Sequence, residues 1–274
     1  MIEAKRITKF VGTKAILKAC SIKVKPGYFT AVVGANGAGK TTLLKSLSGE
    51  QTLTSGEIIL NDTSIRQYKG IALSKVRAVL SQHTEVNFPF TVEQVIEIGR
   101  YPYKTHNTEN EKIIQEVIRL TSLQDFIGRP YQTLSGGEKQ RVQMARVMAQ
   151  LYSKTEFPKY LLLDEPTSSL DLAQQHILLA LAKNLCKQNI GILAILHDLN
   201  LAIQYADEIL FLKKGVTVAY GSCQTTATRS IIEDTFSHPV RLLDDGTGRK
   251  IVVPRHFNEI HTQNLNPIEY ERTN

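Results

Sequence analysis

Short alternations of apolar and polar residues run through the first 30 positions of the chain, a pattern typical of strands joined by turns. Residues 29–33 form a short apolar, β-branched run, which predicts a buried strand. Helical spacing follows over residues 41–47, and two further runs at 57–60 and 76–81 again predict strands. The first third of the chain is therefore expected to be mostly β-structure around one early helix.

The middle of the chain has a helical period instead. Three helices are predicted, over residues 91–100, 109–120 and 138–150. Thr91 and Gln94 have the spacing of a capping box, which marks the start of the first of them. We expect an inserted helical subdomain at about residues 88–150.

Strand signals return at residues 160–163 and 191–196, with a helical pattern over 172–187 between them. Alternation of strand, helix and strand predicts a parallel sheet, so the expected fold class is α/β. A final strand pair is predicted at residues 208–212 and 216–219, joined by a short turn.

The C-terminal part of the chain carries fewer signals. Residues 244–249 have the composition of a hairpin turn. Two roles are open for this region, bracing a dimer or covering a sheet edge, and we favour the second. Residues 255–274 are polar and are expected to be loosely held.

Composition excludes several classes of protein. The chain has 274 residues, a net charge of +7 and a 42% share of hydrophobic residues, which is ordinary globular usage. Its three cysteines are scattered, so neither a disulfide framework nor a cysteine metal site is indicated. The longest apolar run has seven residues, far short of the roughly 20 of a membrane span, and no signal peptide is visible. We expect a cytosolic protein that works at a membrane only as a peripheral subunit, and no binding of nucleic acid.

A glycine-rich loop separates the first buried strand from the helix that follows it. The loop fits the pattern G-x-x-x-x-G-K-[ST] in the strand–helix context that a phosphate-binding P-loop requires. Glycines let backbone N–H groups wrap a phosphate chain, and the helix start adds the positive end of its dipole. Lys40 suits the β- and γ-phosphates, and the Thr41 hydroxyl suits Mg²⁺. The predicted ATP-binding residues here are Gly34, Ala35, Asn36, Gly37, Ala38, Gly39, Lys40, Thr41 and Thr42.

Two adjacent carboxylates end the predicted strand at residues 160–163. Asp164 is delivered to the carboxyl edge of the sheet, where ligands bind in open α/β folds, and suits Mg²⁺. Glu165 is the next residue and can act as general base toward an attacking water.

A second candidate anion site lies at the start of the helix predicted near residue 138. Ser135 and Glu138 have capping-box spacing, and the adjacent Gly136 and Gly137 leave the backbone of the helix start exposed. This stretch resembles the signature motif of ATP-binding-cassette (ABC) ATPases. In that family the motif binds the γ-phosphate of ATP held by the P-loop of the other subunit.

The other motifs of that family occur in order and at matching spacing. Gln82 resembles the Q-loop glutamine, which implies contact with Mg²⁺ and the membrane partner. Asp171 lies in a stretch similar to the D-loop, and His197 matches the switch histidine. Phe10, 24 residues before Gly34, has the place of the aromatic that stacks on adenine, where the family more often has tyrosine.

The resemblance covers residues 1 to about 225 and implies both a fold and a mechanism. The fold is a P-loop NTPase (RecA-like) α/β core with an N-terminal antiparallel β subdomain and an inserted α-helical signature subdomain. It implies one nucleotide-binding domain over residues 1–240, followed by an extension at 241–274. The mechanism is ATP hydrolysis by a head-to-tail homodimer that closes on ATP.

Roles for individual residues follow from the same resemblance. The catalytic residues are implied to be Glu165 as base, His197 at the γ-phosphate and Lys40. Mg²⁺ is implied to be held near Thr41, Gln82 and Asp164.

Three classes of ABC protein compete. Translation-type members carry two cassettes in one chain, and chromosome or repair types insert a long coiled coil, whereas only 52 residues separate Gln82 from Ser135 here. The ATPase of a transporter is favoured, with a homodimer and two copies of a separate permease on the cytoplasmic face of a bacterial inner membrane. Residues 88–102 are similar to the stretch after the Q-loop in importers of haem, ferric siderophores and cobalamin. Further similarity at residues 151–158, 169–177 and 195–202 favours haem (hemin), delivered by an external binding protein, with siderophore or cobalamin as alternatives.

Overall fold

The computed structural model describes residues 1–82, 88–104, 106–153 and 156–255. Twelve strands lie in these ranges: β1 Ile2–Val11, β2 Lys14–Val24, β3 Phe29–Val33, β4 Ser55–Leu60, β5 Thr63–Ser64, β6 Arg77–Leu80, β7 Lys159–Asp164, β8 Ile190–Ile195, β9 Glu208–Lys213, β10 Val216–Ser222, β11 Val240–Asp244 and β12 Lys250–Pro254. The α-helices of the same ranges are α1 Lys40–Leu47, α2 Gly70–Val76, α3 Val92–Glu97, α4 Asn107–Leu120, α5 Gly136–Leu151, α6 Leu172–Cys186, α7 Leu199–Tyr205, α8 Cys223–Thr226 and α9 Arg229–Phe236.

The central sheet has six strands in the order β10-β9-β3-β8-β7-β6. All neighbouring strands are parallel except β10, which returns antiparallel to β9. Strands β3, β7 and β8 are buried along their whole length, because helices or a second sheet cover both faces. The predicted parallel sheet is confirmed, and the carboxyl ends of β3, β6, β7 and β8 meet at one edge of it.

A second, antiparallel sheet covers one face of the first. Its strand order is β2-β1-β4-β5, and α1 lies with it over the central strands. Side chains such as Ile7, Leu43 and Leu193 form a common core between the two layers. Buried within this region, the Tyr160 hydroxyl donates to Asn61 Oδ1 at 3.0 Å, and burial raises the pKa of Tyr160. The expected N-terminal antiparallel β subdomain is present.

Helices α3, α4 and α5 pack together on the other side, with α6 against the sheet. Both predicted capping boxes form: Gln94 N–H donates to Thr91 Oγ1, and Glu138 N–H donates to Ser135 Oγ. The helix predicted over residues 91–100 is α3 continued by a 3-10 turn, Ile98–Arg100. The placement of a subdomain boundary at 88–150, and of domain limits at 1–240 and 241–274, stays a prediction.

The C-terminal strands form a hairpin, as residues 244–249 predicted. Strands β11 and β12 pair antiparallel, and Asn200 on α7 both accepts from Val252 N–H at 2.8 Å and donates to its carbonyl. The expectation that this region covers a sheet edge is wrong for the part of the chain described. The hairpin is a separate two-stranded sheet that packs on α7 and α9, because its buried Val240 and Val252 face those helices. Residues 256–274, most of the tail expected to be loosely held, lie outside the described residues.

Candidate functional site

The predicted P-loop connects the end of β3 to the start of α1. Gly34 and Gly39 are tightly enclosed: a Cβ would lie 2.2 Å from the Leu212 carbonyl oxygen at the first and 2.8 Å from the Ile16 carbonyl oxygen at the second. Lys40 folds back over the loop, and its Nζ donates to the Gly34 carbonyl at 2.8 Å and to the Ala35 carbonyl at 3.1 Å. Glycine is therefore required at both ends of the loop, and Lys40 holds the curve between them.

The start of α1 is a source of positive potential, because the dipole of the helix has its positive end there. Gly39, its N-cap, supplies no side-chain cap, and the first turn contains no acidic residue. The first N–H groups of the helix thus remain available to an anion. Lys40 is buried beside them, and this burial lowers the pKa of its amine, while Glu165 and Asp164 act in the opposite direction. The loop, the helix end and the cation thus lie together, as a candidate phosphate site requires.

Thr41 and Asp164 meet across the P-loop and the end of β7. The Thr41 hydroxyl donates to Asp164 Oδ1 at 3.3 Å. Burial raises the pKa of Asp164, and the hydrogen bond from Thr41 partly offsets that effect. A hydroxyl and a carboxylate at this distance supply the hard oxygen ligands that Mg²⁺ prefers.

Glu165 is held by two side chains. Gln82 Nε2 donates to Glu165 Oε2 at 2.8 Å, and His197 Nε2 lies 2.6 Å from Glu165 Oε1. The three residues follow β6, β7 and β8, which are neighbours in the sheet. Glu165 itself has φ = +49°, a left-handed conformation uncommon outside glycine that turns the chain sharply after β7. Gln82, expected at the metal, is therefore in contact with the expected base.

Ser135, Gly136, Gly137 and Glu138 form the start of α5. Ser135 N–H donates to Glu138 Oε2 at 2.7 Å, and this hydrogen bond lowers the pKa of Glu138. A Cβ at Gly136 would meet nothing within 4 Å, so this backbone is open to solvent. Among the described residues no hydrogen bond or ion pair joins these four residues to the P-loop of the same chain. The two candidate anion sites of this chain are therefore separate surfaces.

The D-loop candidate begins α6, which packs against the start of α5. Asp171 caps α6 by accepting from Gln174 N–H at 2.8 Å. The Gln174 side chain lies against Gly137, with its Oε1 1.8 Å from where a Cβ would be. The sequence reasoning missed Gln174, because only the packing of α6 on α5 reveals the contact; its place three residues after a helix cap was the available signal.

Phe10 is placed beside the P-loop through its hairpin. It pairs with Ala15, and the next residue, Ile16, contacts Gly39. Phe10 is 44% exposed, and its backbone N–H donates to Thr54 Oγ1 at 3.1 Å. An exposed aromatic at this position is compatible with stacking on a base.

Comparison with known proteins agrees with this geometry. A family described as ABC transporter matches residues 17–168, more than half of the chain. The chain belongs to the ABC transporter family. Hemin import ATP-binding protein HmuV of Hydrogenovibrio crunogenus is 39% identical over 87% of this chain and 94% of that protein. The HmuV of Escherichia coli O157:H7 is 37% identical over 89% of this chain and 95% of that protein.

A solved structure has the same fold. The dimeric structure of MJ0796, a bacterial ABC transporter cassette, superposes with a TM-score of 0.70 at 26% identity, over 81% of this chain and 99% of that chain. The P-loop NTPase fold and the ATPase activity expected for this ABC transporter chain are confirmed. No helix in the described ranges is both long and apolar enough to cross a membrane.

Proposed function

We propose that this chain is the ATP-hydrolysing subunit of a hemin importer and acts as a homodimer bound to a membrane permease. The observation that carries the ATPase part is the single carboxylate, Glu165, fixed between Gln82 and His197 beside the P-loop. The hemin part is supported by the two HmuV proteins, whose names state that cargo and whose length this chain matches almost completely.

The phosphates of ATP bind where the P-loop N–H groups and Lys40 converge. Thr41 and Asp164 would hold Mg²⁺, which would supply positive charge at the β- and γ-phosphates. Glu165 accepts a proton from the water whose oxygen attacks the γ-phosphorus, while the bond to the β–γ bridging oxygen breaks and ADP leaves. Gln82 and His197 orient Glu165 for that transfer.

A second copy of the chain completes each site. Gly136 at the start of α5 is open, and within the described residues no hydrogen bond or ion pair joins it to its own P-loop, so a head-to-tail partner is needed to bring it to a γ-phosphate. The dimeric MJ0796 cassette supports this arrangement. ATP then forms part of the dimer interface, and hydrolysis opens it.

The permease contacts what we call the permease-facing segment, residues 88–103. Its exposed apolar side chains are Phe88 at 67%, Ile98 at 45% and Tyr101 at 85% exposure. Such side chains beside a capped helix suit an amphipathic helix of a membrane partner. The chain accordingly works at the cytoplasmic face of the membrane, and the permease with an external binding protein selects the cargo.

Growth of the host tests the cargo. A strain without this chain is supplied with hemin or with a ferric siderophore as sole iron source, and is complemented with wild type or Glu165→Gln. We expect failure on hemin alone, restored only by wild type. Normal growth on hemin with failure on the siderophore would keep the importer and overturn hemin as its cargo.

A further inference from the structure

The carboxyl end of α5, the helix that begins at the signature residues, is held by side chains from outside the helix. The last carbonyl groups of a helix have no donor within it. Arg100 Nη1 donates to the Ala149 carbonyl at 2.8 Å and to Ser153 Oγ at 2.9 Å. The Tyr103 hydroxyl donates to the Gln150 carbonyl at 2.7 Å. Both Arg100 and Tyr103 belong to the permease-facing segment.

The same segment also holds the chain just before the start of α5. Tyr131 N–H donates to the Phe90 carbonyl at 2.8 Å, and Val92 N–H donates to the Arg129 carbonyl at 3.1 Å. Residues 129–131 precede the Ser135 cap by only a few positions. The permease-facing segment is therefore hydrogen-bonded to the chain near both ends of α5.

The two sets of hydrogen bonds differ in kind. The hydrogen bonds near Ser135 join backbone groups, whereas those at the carboxyl end of α5 depend on the Arg100 guanidinium. Between them the backbones touch, because a Cβ at Gly99 would lie 2.1 Å from the Arg146 carbonyl oxygen. A helix held at one end can pivot, and a helix held at both ends must follow the element that holds it.

Burying the Arg100 guanidinium at this position costs stability. It is 3% exposed, and its Nη2 has no hydrogen-bond partner. No salt bridge pairs it with a carboxylate in the described part of the chain, and its guanidinium instead stacks 4.2 Å from the Tyr103 ring centroid. A buried cation of this kind stabilises a fold less than an apolar residue of similar size, so stability alone does not account for arginine here.

We infer that Arg100 is a positioning residue that ties the permease-facing segment to the carboxyl end of α5, so that movement of the permease resets the angle of the signature residues. This inference rests on the proposed function, because it requires a permease on that segment. It assigns Arg100 no contact with ATP. Its loss is expected to disconnect the permease from hydrolysis rather than to stop hydrolysis.

The test compares the isolated subunit with the permease complex purified from host membranes through a tag on this chain. The variants are Arg100→Lys, Arg100→Gln and the milder Tyr103→Phe, which removes the hydrogen bonds from the hydroxyl to the Gln150 and Lys75 carbonyls. The control is Arg119→Gln, which removes an exposed arginine paired with Glu116. ATPase activity is measured for both preparations of each variant, and thermal unfolding establishes that each is folded.

Isolated Arg100 variants are expected to hydrolyse ATP within about twofold of wild type, since the reacting groups are untouched. Stimulation by the permease is expected to fall by about fivefold or more, the size of a coupling between sites, with a smaller loss for Tyr103→Phe. If the permease stimulates the ATPase activity of wild type and of every variant equally, the inference is overturned while the proposed function stands. The same conclusion follows if the ATPase activity of the isolated subunit and of the permease complex falls in parallel. A wild-type complex without stimulation would overturn the proposed function, and the inference with it.

Discussion

His197 Nε2 lies 2.6 Å from Glu165 Oε1, joining the ends of the neighbouring strands β8 and β7. Gln82, from the end of β6, holds the other carboxylate oxygen at 2.8 Å. Because each of its oxygens has a partner, the Glu165 carboxylate is held in one orientation, as a general base requires before water binds. The chain by itself thus pre-orients Glu165, and two experiments follow from that.

Replacing Glu165, the proposed base, separates ATP binding from ATP hydrolysis. Glu165→Gln keeps the shape of the side chain but cannot take a proton from water, so turnover is expected to fall on the order of 10²–10⁴-fold. ATP binding is expected to be retained, and the unhydrolysed ATP should hold two chains together. Size-exclusion chromatography with ATP and a phosphate-release assay measure the two effects. The exposed Glu116→Gln is the matched control, and hydrolysis by Glu165→Gln at the parental rate would show that Glu165 is not the base.

Removing His197 tests whether it acts through Glu165. His197→Ala frees one carboxylate oxygen, and turnover is expected to fall about 10²-fold. Because residues that share one function are not additive, Glu165→Gln/His197→Ala is expected to be no slower than Glu165→Gln alone. Single-turnover rates of wild type, the two single variants and the double variant measure this non-additivity. A double variant slower by the product of both losses would mean that His197 acts on the phosphate independently.

Neutralising Asp164 is expected to improve stability while removing function. Burial raises the pKa of Asp164 above that of the unfolded chain, so at neutral pH its charged form costs stability. Asp164→Asn keeps an acceptor for Thr41 and should raise Tm by about 2–4 °C for each 1 kcal/mol recovered. Scanning calorimetry with and without ATP and Mg²⁺ should show this gain together with loss of the magnesium-dependent stabilisation. The exposed Asp125→Asn should change neither, and a lower Tm for Asp164→Asn would contradict the argument.

Lys159 is expected to make the free energy of unfolding depend on pH in the alkaline range. Burial lowers the pKa of Lys159 to about 8. Between that pH and about 10.5 the unfolded chain binds more protons than the folded one, so the free energy of unfolding rises with pH, by up to about 1.4 kcal/mol per pH unit. Lys159→Met should lose this slope, whereas Lys187→Met, at an exposed position, should keep it. Urea unfolding at pH values from 7.5 to 10 measures how the free energy of unfolding changes with pH. An equal change in both variants would show that Lys159 is not its cause.

Local patterns were sufficient for most strands, for the longer helices and for each isolated motif, whereas the short helices α2, α7, α8 and α9 were not predicted. Both capping boxes, the buried strands and the P-loop depend on residues within one turn or one strand, so the order of residues determines them directly. The same holds for the hairpin at residues 244–249. The role of that hairpin was not accessible in this way, because its packing on α7 depends on Val252 meeting a helix about 50 residues earlier.

Tertiary structure decided which motifs meet. Gln82 and Glu165 are 83 positions apart, and only the order β6-β7-β8 places their side chains together with His197. The attachment of Arg100 to the carboxyl end of α5, 49 positions along the chain, is of the same kind. The sequence by itself determined the chemistry that each strand and helix carries to its end. Which ends become neighbours was decided by how the sheet and helices bury their apolar faces, since that packing, and not any local preference, sets the strand order.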